Sequence, residues 1–175
     1  MILGLSTAAF TQLHVIISLI AIVTGIVVAW AMLSARLAPL MTTLFLVTTV
    51  LTSLTGFPFP TPAGTAVVGS LDPPKIIGLM SLILLALACV ALYGYKLAGA
   101  WRGTYVISAL IALYFNCFVL VVQAFQKIEF FHALAPTQKE PPFAVAQLAL
   151  LIVFVGLGIA AFRKFKPLVK SAAAA

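Results

Sequence analysis

No charged side chain interrupts the chain before Arg36, between Arg36 and Asp72, between Lys75 and Lys96, between Arg102 and Lys127, or between Glu140 and Arg163. Each interval holds a stretch apolar and long enough to cross the hydrocarbon core of a bilayer, for which about 20 residues suffice and ~17–25 are usual. Spans are expected over residues 8–33, 40–57, 76–95, 103–126 and 143–162. All must be helical. Five spans of one chain cannot close a barrel, and a backbone group without a partner in hydrocarbon costs several kcal/mol. The expected fold class is all-α: an integral membrane bundle of five transmembrane helices, forming one domain over residues 1–175.

Composition agrees. Of the residues, 64% are hydrophobic and 7% charged, against about 25% charged in a soluble domain. A net charge of +7 could suit nucleic acid, but no soluble basic face exists to carry it. It reads better as an orientation signal. Arg36, Lys96, Arg102, Arg163, Lys164, Lys166 and Lys170 follow the first, third and fifth spans; Lys75, Lys127 and Lys139 lie on the other side, so the ten basic residues divide seven to three. All three acids, Asp72, Glu129 and Glu140, fall on the poorer side. Basic residues in short loops stay in the cytoplasm. This predicts an N-terminus outside and a cytoplasmic C-terminus, in the bacterial inner membrane. The tail RKFKPLVK also resembles a contact for anionic lipid. The N-terminus lacks the basic region of a secretory signal, so the first span is expected to be retained.

The connection FPFPTPAGTAVVGSLDPPK is too rich in proline for a helix. It reads as a surface loop or a semi-rigid cap over the bundle. The second span, TTLFLVTTVLTSLTGF, sets Thr48, Thr52 and Thr55 on one face and Thr49, Ser53 and Gly56 on the adjacent one. Small and hydroxyl residues allow close approach and interhelical hydrogen bonds in lipid, so this helix is expected to be central in the packing.

The fourth span carries a polar stripe. Tyr105, Ser108, Asn116, Gln123, Gln126 and Lys127 fall within one sector at helical periodicity, with Ala112 filling its gap. The first has His14, Ser18, Ala21, Gly25 and Ala29 along one face; the fifth has Gln147, Phe154, Gly158 and Ala161. On the predicted topology His14, Gln123 and Gln147 lie roughly four to seven residues inside the outer boundary, about 6–10 Å deep. They are the candidate ligand-binding residues, with Asn116 about two turns deeper. The same side chains also suit plain bonding between helices.

Specific chemistries fare poorly. A bis-histidine haem needs two ligands on facing helices, and His14 is the only histidine within a span, since His132 falls in the connector. A metal site from His14, His132, Glu129 and Asp72 lacks clustered ligand spacing. Proton-coupled transport calls for a buried acid or an inverted repeat; the spans hold neither. Cys89 and Cys117 lie in apolar surroundings without metal-type spacing. No nucleotide loop, paired carboxylates or triad spacing points to an enzyme. No catalytic residue, metal or cofactor is expected, although a quinone or lipid would suit the outer polar pocket.

The stretches FVLVVQAFQKIEFFHALAPTQKEPPFAVAQ, TTVLTSLTGFPFP and LAGAWRGTYVISALIALYFN resemble a group of small bacterial inner-membrane proteins without established activity, and more distantly the DoxX-like membrane proteins. The fifth span departs from the DoxX-like pattern. The resemblance implies membrane residence and carries no site residue. Together these readings lead to a non-catalytic accessory or structural subunit of a larger membrane complex, with protein partners and no nucleic acid. The alternative is a quinone- or lipid-binding, redox-associated protein.

Overall fold

The structure is a computed structural model, and it describes residues 1–60 and 71–166. The proline-rich cap expected after Pro60, and Lys170 with the alanine tail, lie largely or wholly outside the described residues. Among the described residues six α-helices follow in order: α1 (Thr7–Leu33), α2 (Pro39–Gly56), α3 (Pro73–Cys89), α4 (Trp101–Lys127), α5 (Glu129–Leu134) and α6 (Pro141–Lys164). A π-helical turn, Val90–Gly94, extends α3. Five of these helices are long and apolar enough to cross a membrane. The short α5 lies in the connector between the fourth and fifth spans.

Local chemistry sets the boundaries. Ser6 caps α1 by accepting the Ala9 N–H at 3.2 Å, and Asp72 caps α3 by accepting that of Lys75 at 3.2 Å. Proline opens α2, α3 and α6. There its missing N–H removes nothing, because the first turn has no acceptor for it, and its fixed φ already suits a helix. After the π turn, Lys96 and Leu97 take positive φ values of 49° and 61°, and Gly99 takes 53°. This reverses the chain tightly into α4.

α4 is the hub. It packs against α1, α3, α5 and α6 and touches α2 more lightly. This differs from the expectation that α2 would be central: α2 pairs mainly with α1 and α3. α4 meets neighbours on several sides, whereas α2 lies mainly between α1 and α3, and several of its hydroxyls bond within the helix. Thr48 donates to the Leu44 carbonyl at 2.6 Å and Thr55 to that of Leu51 at 2.7 Å. The α4 stripe turns inward over its first half, with Tyr105 and Ala112 fully buried and Ser108 nearly so; Asn116 and Gln123 are half-buried, and Gln126 and Lys127, expected to face inward, are exposed because they lie at the end of the helix. The stripe on α1 faces it. A Cβ on Gly25 would stand 2.5 Å from Leu113 Cδ1 and 2.9 Å from Phe45 Cδ2, so only glycine lets these three helices meet.

The antiparallel order separates charge. Arg36, Lys96, Arg102, Arg163, Lys164 and Lys166 gather at the end holding the α3–α4 turn; Asp72, Glu129 and Glu140, with Lys75, Lys127 and Lys139, gather at the opposite end. The contiguous core lies toward the basic end, built from Val28, Met32, Phe45, Leu85, Tyr105 and Phe165 among others. α6 is the least embedded of the five long helices. Ala161 is its one buried residue.

Candidate functional site

His14, Asn116, Gln123 and Gln147 all sit on membrane-spanning helices and are all half-buried. Three of them are bonded to a neighbouring helix. His14 Nδ1 lies 2.8 Å from Thr55 Oγ1 on α2, and the edge of its ring meets Phe59 with centroids 5.4 Å apart. The Thr55 proton is engaged by the Leu51 carbonyl. Thr55 therefore accepts from Nδ1–H, and Nε2 is left as an acceptor. Asn116 Nδ2 donates to Thr49 Oγ1 on α2 at 3.4 Å. Gln147 Nε2 donates to the Phe118 carbonyl on α4 at 3.3 Å.

The four side chains make no hydrogen bond to one another. Gln123 makes no side-chain hydrogen bond among the described residues. Gln147 Oε1 is buried without a hydrogen-bond partner, as is Thr52 Oγ1 on α2. A buried polar atom left without a partner is costly, roughly 1–3 kcal/mol. In chemical terms this region offers apolar walls with scattered acceptors. Among the described residues it has no group of three metal-ligating side chains.

His132 is separate, at the tip of α5. Its Nδ1–H donates to the Phe125 carbonyl at 3.2 Å, closing the break between α4 and α5. Gln138 reinforces the same connector by donating to the Val122 carbonyl at 2.9 Å. Glu140 ends it, accepting from the Thr137 hydroxyl at 2.9 Å and from the Lys139 N–H at 3.1 Å. Slight desolvation acts to raise the Glu140 carboxyl, but the hydrogen bonds from its own N–H, Thr137 and Lys139 outweigh it. The group is held below the ordinary carboxylate value.

Sequence reasoning missed the part played by Arg102. Its Nη1 donates to the Phe162 carbonyl at 2.9 Å and also to that of Phe165. Its guanidinium carbon stands 5.5 Å from the Phe162 ring centroid. It thus satisfies carbonyls at the C-terminus of α6, where a cation is favoured by the helix dipole. Beside it opens a cavity of about 440 Å³, walled by α3, α4 and α6. The sequence gives Arg102 only as a loop cation, because its partners are backbone atoms sixty residues away.

Comparisons of the chain with protein-family models, with curated proteins and with solved structures give no match.

Proposed function

We propose that the chain is a non-catalytic integral membrane protein that serves as an accessory or structural subunit of a larger membrane complex, in the inner membrane of a bacterium and with its basic end in the cytoplasm. The observation that carries this reading is how the polar side chains of the spans are used. His14, Asn116 and Gln147 are each bonded to a neighbouring helix. They act as fasteners between helices, and little chemistry is left over. Supporting it is α6, which buries one residue of its own bundle and holds Gly156 with nothing within 4 Å of where its Cβ would stand. A bare glycine on an apolar helix lets another helix approach closely.

The test is the size of the assembly at native expression in mild detergent. The chain should migrate with partner proteins, and Gly156→Trp should release it while leaving its own melting temperature unchanged. A monomer at native expression refutes the reading. A bound quinone or a Soret band in the purified protein would favour a redox-associated carrier in its place.

A further inference from the structure

We propose that the cavity beside Arg102, with the groove it adjoins between α4 and α6, holds an anionic phospholipid whose phosphate rests on the Arg102 guanidinium. This site is independent of the subunit reading above and lies at the other end of the bundle from His14, Gln123 and Gln147.

The first observation is shape. The cavity of about 440 Å³ is walled by Leu84 and Leu87 of α3, Gly103 and Ile107 of α4, and Phe162 of α6. A second cavity of about 190 Å³ continues between α4 and α6, past Tyr114, Leu151 and Phe154. Ile107 lines both. From Arg102 to Tyr114 the helix rises about 18 Å. That is close to the depth of one leaflet, half of a hydrocarbon core of ~30 Å. Thr104 and Ser108 also line this wall, but their hydroxyl protons are taken by their own helix: Ser108 donates to the Thr104 carbonyl at 2.7 Å and Thr104 to that of Ala100 at 3.4 Å. The track is apolar along its length and cationic at its mouth, which is the polarity of a lipid.

The second observation is the state of Arg102. Both of its hydrogen bonds run from Nη1 to the end of α6. Nη2 and Nε have no acceptor among the described residues. A guanidinium presents a planar fork that matches phosphate oxygens. Here the fork is already held in place by α6, so little freedom is lost when it binds.

The third observation is charge. Lys96, Arg163, Lys164 and Lys166 share this end, and all three acids of the chain lie at the other. Among the described residues no carboxylate lies at this end to compete for the guanidinium. A choline or ethanolamine headgroup brings a cation into a positive field, whereas an anionic headgroup does not. Free phosphate would satisfy the guanidinium but leave the apolar track unused, so the lipid is the occupant the site fits.

Trp101, adjacent to Arg102 and stacked on Tyr95 at 4.0 Å, is a built-in reporter. The other tryptophan, Trp30, is largely exposed and can be replaced. In a Trp30→Phe background reconstituted in vesicles, brominated phosphatidylglycerol should quench Trp101 with an apparent affinity at least about five-fold above brominated phosphatidylcholine. Arg102→Gln should bring that ratio to about one. Because that change also releases the end of α6, Ile107→Phe is the second variant. It fills the track, leaves the guanidinium bonds intact, and should lower the ratio as well. Equal quenching by the two lipids overturns the proposal. So does a ratio that survives Ile107→Phe, or one abolished by the triple change R163Q/K164Q/K166Q while Arg102→Gln leaves it intact, since that is diffuse attraction. Inorganic phosphate at constant ionic strength should leave the ratio unchanged; displacement by it would assign the site to the free anion and overturn the lipid.

Discussion

His14 on α1 and Thr55 on α2 are joined by a 2.8 Å hydrogen bond between Nδ1 and Oγ1. Thr55 donates its own O–H to the Leu51 carbonyl, so the pair ties two helices and fixes the imidazole tautomer together. Bonds of this kind within membranes average about 0.6 kcal/mol by double-mutant cycles, with a maximum near ~1.7. A cycle of His14→Ala and Thr55→Val, read by unfolding in detergent, should give a coupling in that range. A coupling indistinguishable from zero would show the two side chains to be neighbours without a bond that matters.

Glycine 25 and glycine 156 should respond oppositely to the same change. A methyl at Gly25 runs into Leu113 and Phe45, whereas Gly156 has open space. Overpacking typically costs ~1–3 kcal/mol. Gly25→Ala is expected to lower stability by that amount, and Gly156→Ala to leave it unchanged within the error of a melting curve. Equal effects at the two positions would contradict the close meeting of α1, α2 and α4.

Arg102 should matter for stability as well as for lipid. It holds the Phe162 and Phe165 carbonyls, and hydrogen bonds to a charged group contribute about 1.5–3 kcal/mol. Partial solvent access reduces this, so a loss of roughly 1–2 kcal/mol is expected for Arg102→Gln. Hydrogen exchange should rise in the last turn of α6 and remain unchanged in α1. Gly103→Ala provides a second view of the same contact, because its methyl would stand 2.7 Å from Phe162 Cε2 and push that ring away.

The Thr137–Glu140 turn should be sensitive to acid. The Glu140 carboxyl is held below its ordinary value because the hydrogen bonds to the charged form outweigh the opposing desolvation. A depressed folded value means that the turn is stabilised above the unfolded carboxylate range and loses that support as pH falls through the folded value. The Thr137 and Lys139 amide resonances should therefore be constant near neutral pH and move only below the ordinary carboxylate range. Glu140→Gln should abolish the movement.

The separation of charge predicts orientation. With the basic end holding Arg36, Lys96, Arg102, Arg163, Lys164 and Lys166, reporters fused after residue 166 and in the α1–α2 turn should both register in the cytoplasm, and one fused within 129–140 on the other side. A fusion after residue 166 that reports from outside would reverse the assignment.

What the chain's sequence determined by itself is the set of spans and the faces they turn inward. The charge-free intervals and the helical periodicity of Tyr105, Ser108 and Ala112 are local properties, and bilayer thickness converts them directly into helices. What only the tertiary structure decided is which side chains meet. Thr49 and Thr55 are found as partners of Asn116 and His14 only once α2 lies against α1 and α4. α4 rather than α2 is the hub because it has helices packed on several of its sides, whereas α2 lies mainly between α1 and α3. Arg102, a loop cation in the sequence, becomes the clasp of α6 because its acceptors are backbone carbonyls, which carry no signature in residue identity. Contacts of that kind depend on helix placement over sixty residues, and no local pattern encodes it.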